Sequence, residues 1–257
     1  MTTQIPMNVG DVFGRAMAAW DGGNVAEARR LAKAILDKRP DFGGAHYLLG
    51  LISLRQGQAQ RAAEHLTQAV AADPLQSVPR LALGRALEGA GNHNSAILQY
   101  RAVLGREPGH AEANARLADL LARNGRIAEA LEHGRRAIAV NPRHAEALCT
   151  LGTLLHEQGD NSEAARMLER ALELRPDWAV ALNNYGLVLR ALGQSERAIA
   201  ILTGAAELRR DHAGTRANLA AALREAGKLD QARIHAERAT KINSRDPAGW
   251  LELGLVR

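Results

Sequence analysis

Several residue types are scarce in this chain, and each shortage excludes a class of protein. Phenylalanine, tryptophan and tyrosine make up 3% of the 257 residues, so alanine and leucine must fill the core, as in closely packed helices. A single cysteine, Cys149, excludes an internal disulfide. No apolar run approaches the length of about 18 residues that a transmembrane helix needs. Residues 1–8 lack the basic and apolar regions of a signal peptide, and together these absences favour the cytoplasm.

Lysine is also scarce, and nearly all of the basic residues are arginine. The net charge is +5, but the 33 basic and 28 acidic residues alternate along the chain. There is no basic helix and no aromatic residue set between cations to stack on bases. Direct nucleic-acid binding is therefore not expected.

The motifs of the common catalytic sites are missing as well. The sequence has no phosphate-binding loop, nucleophile elbow, metal-binding helix motif or paired catalytic carboxylates. His110, His144 and His212 lie one repeat apart and do not converge on a point. We expect no catalytic, cofactor or metal site, and we interpret Cys149 as a small buried residue and not as a reactive thiol.

What the sequence does contain is a period of 34 residues. Three residue types keep this step along the chain: Pro40, Pro74, Pro108, Pro142 and Pro176; Gly23, Gly57, Gly91, Gly125, Gly159, Gly193 and Gly227; Ala28, Ala62, Ala96, Ala130, Ala164, Ala198 and Ala232. A fixed period of this length is typical of stacked structural repeats, in which each repeat packs on its neighbours.

Each repeat is predicted to be a pair of amphipathic helices. In residues 145–178, leucines and alanines recur at helical spacing in both halves. Gly159 follows the first half, where a left-handed residue would end a helix, and Pro176 follows the second, where a helix cannot continue. The alanine at position 20 of every repeat, counted from Val9 as position 1, indicates a tight helix crossing.

This pattern resembles the tetratricopeptide repeat (TPR), with Leu-Gly at positions 7 and 8, Ala at 20 and Pro at 32. The resemblance implies an all-α, right-handed α-solenoid of stacked helix-turn-helix repeats. Seven repeats are predicted at 9–42, 43–76, 77–110, 111–144, 145–178, 179–212 and 213–246. Residues 1–8 form an N-terminal segment, and residues 247–257 the first half-helix of an incomplete eighth repeat, which indicates a longer protein. Gly134 at position 24, where the family has a large residue, predicts thin packing.

In the family that this chain resembles, positions 2, 5, 9, 12 and 13 of the first helix line a concave groove. Applied to this sequence, these positions predict a groove with an apolar half and a polar half. The predicted partner-binding residues are Phe13, Met17, Trp20, Tyr47, Leu51, Leu54, Leu81, Arg85, Asp119, Asn183, Asn184, Arg190 and Asn218. The apolar half is either an exposed binding patch, which we expect to be the binding site, or is covered by residues 1–8 and by neighbouring helices.

The resemblance implies a non-catalytic scaffold that binds a peptide or helix of a partner protein, with no membrane insertion. The lysines and asparagines with which chaperone-binding members hold a carboxylate are absent. Asn184 and Asn218 match the asparagine ladder of members attached to glycosyltransferases, so the alternative is a recruiting region of a larger glycosyltransferase, sulfotransferase or hydroxylase. Trp250, Leu251 and Leu253 predict self-association through the C-terminal edge, or packing on the seventh repeat.

Overall fold

A computed structural model describes residues 8–256, and within that range the secondary structure is entirely helical. The described residues form fifteen helices: α1 (Val9–Asp21), α2 (Val25–Leu36), α3 (Gly43–Arg55), α4 (Ala59–Ala72), α5 (Ser77–Gly89), α6 (His93–Leu104), α7 (Ala111–Arg123), α8 (Ile127–Val140), α9 (Ala145–Glu157), α10 (Asn161–Leu174), α11 (Ala179–Ala191), α12 (Ser195–Leu208), α13 (Ala213–Glu225), α14 (Leu229–Ile242) and α15 (Pro247–Leu255).

The helices form stacked helical hairpins, which confirms the predicted fold class. The chain divides into two compact units, an N-terminal unit that ends at Ala113 and a C-terminal unit that begins at Asn114. In both, a helix packs on its hairpin partner and on the next hairpin, as α4 does on α3 and α5, and α10 on α9 and α11. The predicted N-terminal segment lies outside the described residues except for Asn8, whose side chain caps α1.

The turn inside each hairpin depends on a left-handed glycine, as the sequence predicts. Gly159 has a φ of +84°, and its six equivalents have φ values between +70° and +78°. Glycine adopts this conformation without the steric cost that a Cβ would bring. Each hairpin therefore closes in the three residues between its helices.

The helix crossing within each hairpin is tight, and residue sizes at positions 8 and 24 are matched across it. Ala164 is completely buried, and a Cβ built on Gly152 would lie 2.7 Å from Cγ of Leu168. In the fourth repeat the sizes are reversed, because Ala118 replaces the glycine and Gly134 replaces the large residue. Gly134 is buried, and a Cβ there would lie 3.6 Å from Cδ1 of Leu151. Leu151 of the next repeat borders this space, but a methyl group on Gly134 would still fit at ordinary contact distance, so thin packing there stays a prediction.

In the second and third repeats, a polar side chain at position 4 replaces the large residue that is typical of the family. It forms a hydrogen bond with the preceding repeat. His46 donates from Nε2 to the carbonyl oxygen of Pro40 at 2.8 Å, and Arg80 donates to that of Pro74 at 2.9 Å. Both carbonyl groups lie in the connections between repeats, so these donors satisfy backbone acceptors that belong to no helix.

The recurring histidines at position 34 have a structural role. His144 accepts a hydrogen bond at Nδ1 from the amide of Ala147, at 3.3 Å, and His212 accepts one from the amide of Thr215, at 3.1 Å. Each histidine therefore caps the N-terminus of a first helix, where amides lack helical partners. Their spacing follows from this capping.

Candidate functional site

A cavity of about 500 Å³ opens on the first helices of the C-terminal unit. It lies between α7, α9 and α11, and more than half of its lining residues are at the positions that the resemblance assigns to the groove. The lining includes Ala115, Asp119, Ala122, Arg123, Glu146, Cys149, Thr153, Trp178, Val180 and Asn184. We call this space the groove cavity.

Small side chains make room for the groove cavity. Ala115 and Cys149 are buried at neighbouring groove positions, and Ala122 lies one turn or more beyond Ala115 on α7. Burial raises the pKa of the Cys149 thiol to about 12, and the nearby carboxylate of Asp119 adds to this effect. The thiol therefore stays protonated at neutral pH, which agrees with its interpretation as a small buried residue.

A row of hydrogen-bonded polar side chains borders the groove cavity and crosses three first helices. Asn218 on α13 donates to Oδ1 of Asn183 at 3.0 Å, and Asn183 donates to Oδ1 of Asn184 at 3.4 Å. Asn184 donates to Oγ of Thr153 at 2.8 Å, and Thr153 donates to the carbonyl oxygen of Cys149 at 3.0 Å. The three predicted asparagines are thus brought together in one connected row.

Two ion pairs lie around the groove cavity. Arg123 lies 2.9 Å from Asp119, and Arg175 lies 2.6 Å from Glu146. The guanidinium of Arg175 also stacks over the ring of Trp178, 4.2 Å from its centroid. These pairs are largely exposed, so they contribute little stability and remain able to exchange partners.

The predicted apolar half lies in the N-terminal unit, and its aromatic side chains pack on their own surroundings. Phe13 meets Phe42 edge-on at a centroid distance of 5.3 Å, and Gly44 leaves room for the Phe13 ring. The guanidinium of Arg55 lies 5.5 Å from the Trp20 centroid. Each of these aromatic rings is therefore half-buried.

The remaining apolar residues of that half are also half-buried. Tyr47, Leu51 and Leu54 pack against a buried cluster that includes Leu66 and Leu83, and burial raises the pKa of Tyr47. Two further predicted residues lie on α5, where Leu81 is half-buried and Arg85 lies 4.0 Å from Glu112. Folding thus uses much of the apolar area that the sequence assigns to binding. We call Phe13, Met17, Trp20, Tyr47 and Leu51 the aromatic face.

The predicted groove residue Arg190 belongs to an ion-pair chain that the sequence does not reveal. Arg190 donates from Nε to Glu225 at 3.1 Å, and Arg224 donates to Glu252 at 2.9 Å. Arg224 also lies 3.9 Å from Glu225, which links α11, α13 and α15. The arginine charges lower the pKa of Glu225, chiefly through the hydrogen bond from Arg190.

The C-terminal edge combines packed and exposed side chains. Leu253 is buried against Ala220 and Ala236, so it packs on the seventh repeat as one of the two predicted arrangements requires. Trp250 and Leu251 are 51% and 63% exposed. Self-association through these two side chains stays a prediction.

None of the described helices combines the length and the apolar character that would let it span a bilayer. No group of three or more potential ligand side chains is placed to share a metal ion in the described part of the chain.

Comparison with known protein families identifies the repeat type. One tetratricopeptide repeat model matches residues 13–77 and 149–213, a second matches residues 109–177, and a third matches residues 189–253. No curated protein sequence matches the chain.

Solved structures share the fold at low sequence identity. A chain of the APC/C hetero-tetramer Cut9-Hcn1 aligns with 98% of this chain at a TM-score of 0.78 and 17% identity. This chain spans only 50% of that longer one. A tetratricopeptide repeat protein from Parabacteroides merdae aligns over 96% of this chain and 98% of its own, with a TM-score of 0.66 and 18% identity. YrrB, described as a TPR protein with an unusual peptide-binding site, aligns over 74% of this chain and 97% of its own, with a TM-score of 0.61 and 19% identity.

Proposed function

Because the chain belongs to the tetratricopeptide repeat family, we propose that it is a non-catalytic scaffold that binds an extended peptide segment of a partner protein in the groove cavity. The fold is one that generally mediates protein–protein interactions. The observation that carries the proposal is the open space of about 500 Å³ formed by groove positions of three successive first helices. Cavities of this size accommodate ligands when a few polar groups are available to orient them.

The polar side of the groove cavity suits a peptide main chain. Asn184 uses one amide hydrogen on Thr153, and its Oδ1 accepts one hydrogen bond from Asn183. An asparagine oxygen has two acceptor lone pairs, so one lone pair of Oδ1 remains for a ligand, while the Asn184 amide also interacts with the Cys149 thiol. A peptide group in an extended segment offers the complementary N–H donor.

Another part of the groove-cavity lining is apolar, and it includes the turn of α11 next to Asn184. Val180 is 43% exposed, and the half-buried ring of Trp178 lies beside it in the lining. An apolar side chain of the peptide would bury area against these residues, and anchors of this kind carry much of the affinity of peptide complexes. The exposed ion pairs Asp119–Arg123 and Glu146–Arg175 would then fix direction and register more than affinity.

The alternative is that the repeats recruit substrates or partners for a larger enzyme of the glycosyltransferase, sulfotransferase or hydroxylase type. The row formed by Asn218, Asn183 and Asn184 favours it, because such a row can follow a peptide across successive repeats. The coding sequence after Arg257 tests this reading. An enzyme domain there favours recruitment, and a stop codon or further repeats favour the scaffold.

The scaffold proposal is tested with peptides selected from a random display library against the full chain. Calorimetry then measures their affinity for variants of the groove cavity and of the aromatic face. Asn184→Ala and Val180→Glu should each raise Kd about tenfold or more, which corresponds to about 1.4 kcal/mol. The control is Trp20→Ala with Tyr47→Ala, which should leave Kd within about threefold, since alanine changes outside a contact area cost little.

The opposite pattern would overturn the choice of site. If the double aromatic variant abolishes binding and both cavity variants bind like the wild type, the aromatic face is the binding surface, as the sequence predicts. If no peptide binds with a defined stoichiometry, peptide binding itself is wrong.

A further inference from the structure

A second cavity lies away from the groove cavity, where the second helices α12 and α14 meet α13. It encloses about 270 Å³ and its lining is mainly polar. The polar side chains are Thr203, Glu207, Arg210, Arg216, His235 and Arg238. We call this space the basic cleft.

The cations of the basic cleft are not neutralised by neighbouring carboxylates. Within residues 8–256, neither Arg210 nor Arg238 has a carboxylate at ion-pair distance. Arg216 donates from Nε and Nη2 to the carbonyl oxygen of Arg210, both at 3.1 Å, which leaves Nη1 for another acceptor. Three guanidinium groups against the single carboxylate of Glu207 leave two net positive charges in the lining.

The pKa of His235 depends on this concentration of positive charge. Its Nδ1 is sealed from solvent and has no hydrogen-bond partner among the described residues. Burial lowers the pKa of His235, and the charges of Arg216 and Arg238 lower it further. Arg210 and Glu207 face the same cleft from the α12 side, so the imidazole is surrounded mainly by cations.

The preceding repeat shows whether the fold itself requires these cations. The positions equivalent to Arg210, Arg216, His235 and Arg238 are there occupied by Pro176, Leu182, Ile201 and Gly204. The stack therefore closes at the same place without these cations, and Glu169 and Glu173 occupy the positions equivalent to Thr203 and Glu207. Clustered like charges oppose folding, and a bound anion would offset that cost.

We propose that the basic cleft binds a phosphoryl group, carried by inorganic phosphate or by a phosphorylated side chain. Guanidinium groups present fixed N–H donors that fit tetrahedral oxyanions, and such charge-assisted hydrogen bonds are stronger than neutral ones. A phosphate monoester carries a charge of about −1.5 to −2 near neutral pH, which matches the two net positive charges of the lining better than a carboxylate does. Because the anion neutralises the field of Arg216 and Arg238, its binding raises the pKa of His235.

The test titrates inorganic phosphate into the full chain in a chloride buffer. Calorimetry gives the affinity, and NMR of the His235 imidazole gives its pKa with and without phosphate. We expect saturable binding, with the His235 pKa moving upward as the site fills. Arg210→Gln with Arg238→Gln should raise Kd at least about tenfold, because two charge-assisted contacts are lost.

The matched control is Arg209→Gln with Arg233→Gln, which removes the same charge from the same segments outside the lining. It should leave Kd within about twofold, since exposed charges outside a site act weakly through solvent. Equal losses in the two double variants would mean general charge attraction and would overturn the proposal. An unchanged His235 pKa at phosphate saturation, or no saturable binding, would overturn it as well.

A short phosphoserine peptide and its serine counterpart separate the two sources of the phosphoryl group. Tighter binding of the phosphopeptide than of inorganic phosphate, with no binding of the serine peptide, identifies a phosphorylated side chain as the ligand. Equal binding of the phosphopeptide and of inorganic phosphate identifies the free ion. Either result supports the basic cleft, and neither depends on the groove cavity.

Discussion

The two compact units use the same repeat positions for opposite purposes. In the N-terminal unit, positions 5 and 12 of the first repeat carry Phe13 and Trp20, whose rings pack on Phe42 and under Arg55. In the C-terminal unit, the same positions of the fourth repeat carry Ala115 and Ala122, and about 500 Å³ stays open beside them. Large side chains at groove positions fill space, and small ones leave it free.

This difference separates apolar area from available volume. An apolar side chain that already packs on its own protein has gained most of its transfer free energy in folding. Only a smaller part of that area stays exposed at the aromatic face. The groove cavity has less apolar area, yet it offers unfilled space, remaining hydrogen-bond capacity and paired charges that can exchange. This difference supports our proposal that the aromatic face contributes mainly to stability and that the groove cavity binds the partner.

The largest effect that tests this assignment is on stability. Phe13→Ala should lower the free energy of unfolding by roughly 2–3 kcal/mol, because it removes a ring packed on Phe42 and leaves a cavity beside Gly44. Val180→Ala in the groove cavity should cost less than about 0.5 kcal/mol, since that side chain is 43% exposed. Urea denaturation measures both, and hydrogen exchange shows whether the loss is confined to α1–α3.

Equal and small costs for the two variants would contradict the assignment. They would mean that the Phe13 ring contributes no more to the fold than an exposed side chain. The aromatic face would then be available to a partner, and the affinity measurements would be expected to follow it.

Much of the fold is predictable from the sequence because the repeat enforces it. The left-handed turn at Gly159 follows from a residue type, and the buried crossing at Ala164 from its recurrence. The surroundings of Gly134 are less predictable. Leu151, which lies beside it, belongs to the next repeat, and only three-dimensional packing shows that it reaches this space.

The site was harder to predict than the fold. The family positions bring Asn183, Asn184 and Asn218 together, but their hydrogen-bonded row depends on rotamers that a sequence does not specify. The groove cavity has a signal that could have been used, namely the run of small residues Ala115, Ala122 and Cys149 at groove positions. Hydropathy gives large apolar residues the most weight. A sequence interpretation based on apolar area therefore overlooks small side chains, which leave space for a ligand.

Transplanting one side chain tests whether space decides binding. Ala122→Trp places in the groove cavity the residue that occupies the same position as Trp20 in the first repeat. The indole should fill part of the space and raise the Kd of a selected peptide about tenfold, or about 1.4 kcal/mol. Ala122 is only half-buried, so thermal denaturation should show little change. Tighter binding instead would show that aromatic area, and not free volume, limits affinity.

The smallest predicted effect concerns whether water reaches Cys149, the buried thiol that we call the floor of the groove cavity. Burial raises the pKa of the Cys149 thiol from the ordinary 9.0 to about 12, so the folded chain keeps this proton at a pH where the unfolded chain loses it. The contribution of Cys149 to stability is therefore constant below pH 9 and is lost between pH 9 and about 12. By pH 10 the wild type should have lost about 1 kcal/mol of its free energy of unfolding relative to Cys149→Ala. Other titrating groups, such as Tyr47, affect both chains equally and therefore cancel in this comparison. The difference in denaturation midpoint between the two chains, measured from pH 7 to pH 10, isolates the contribution of the thiol.

A difference that does not change with pH would mean that the thiol ionises as readily in the folded chain as in the unfolded chain. Water would then reach the floor of the groove cavity, and a peptide side chain would gain little by displacing that water.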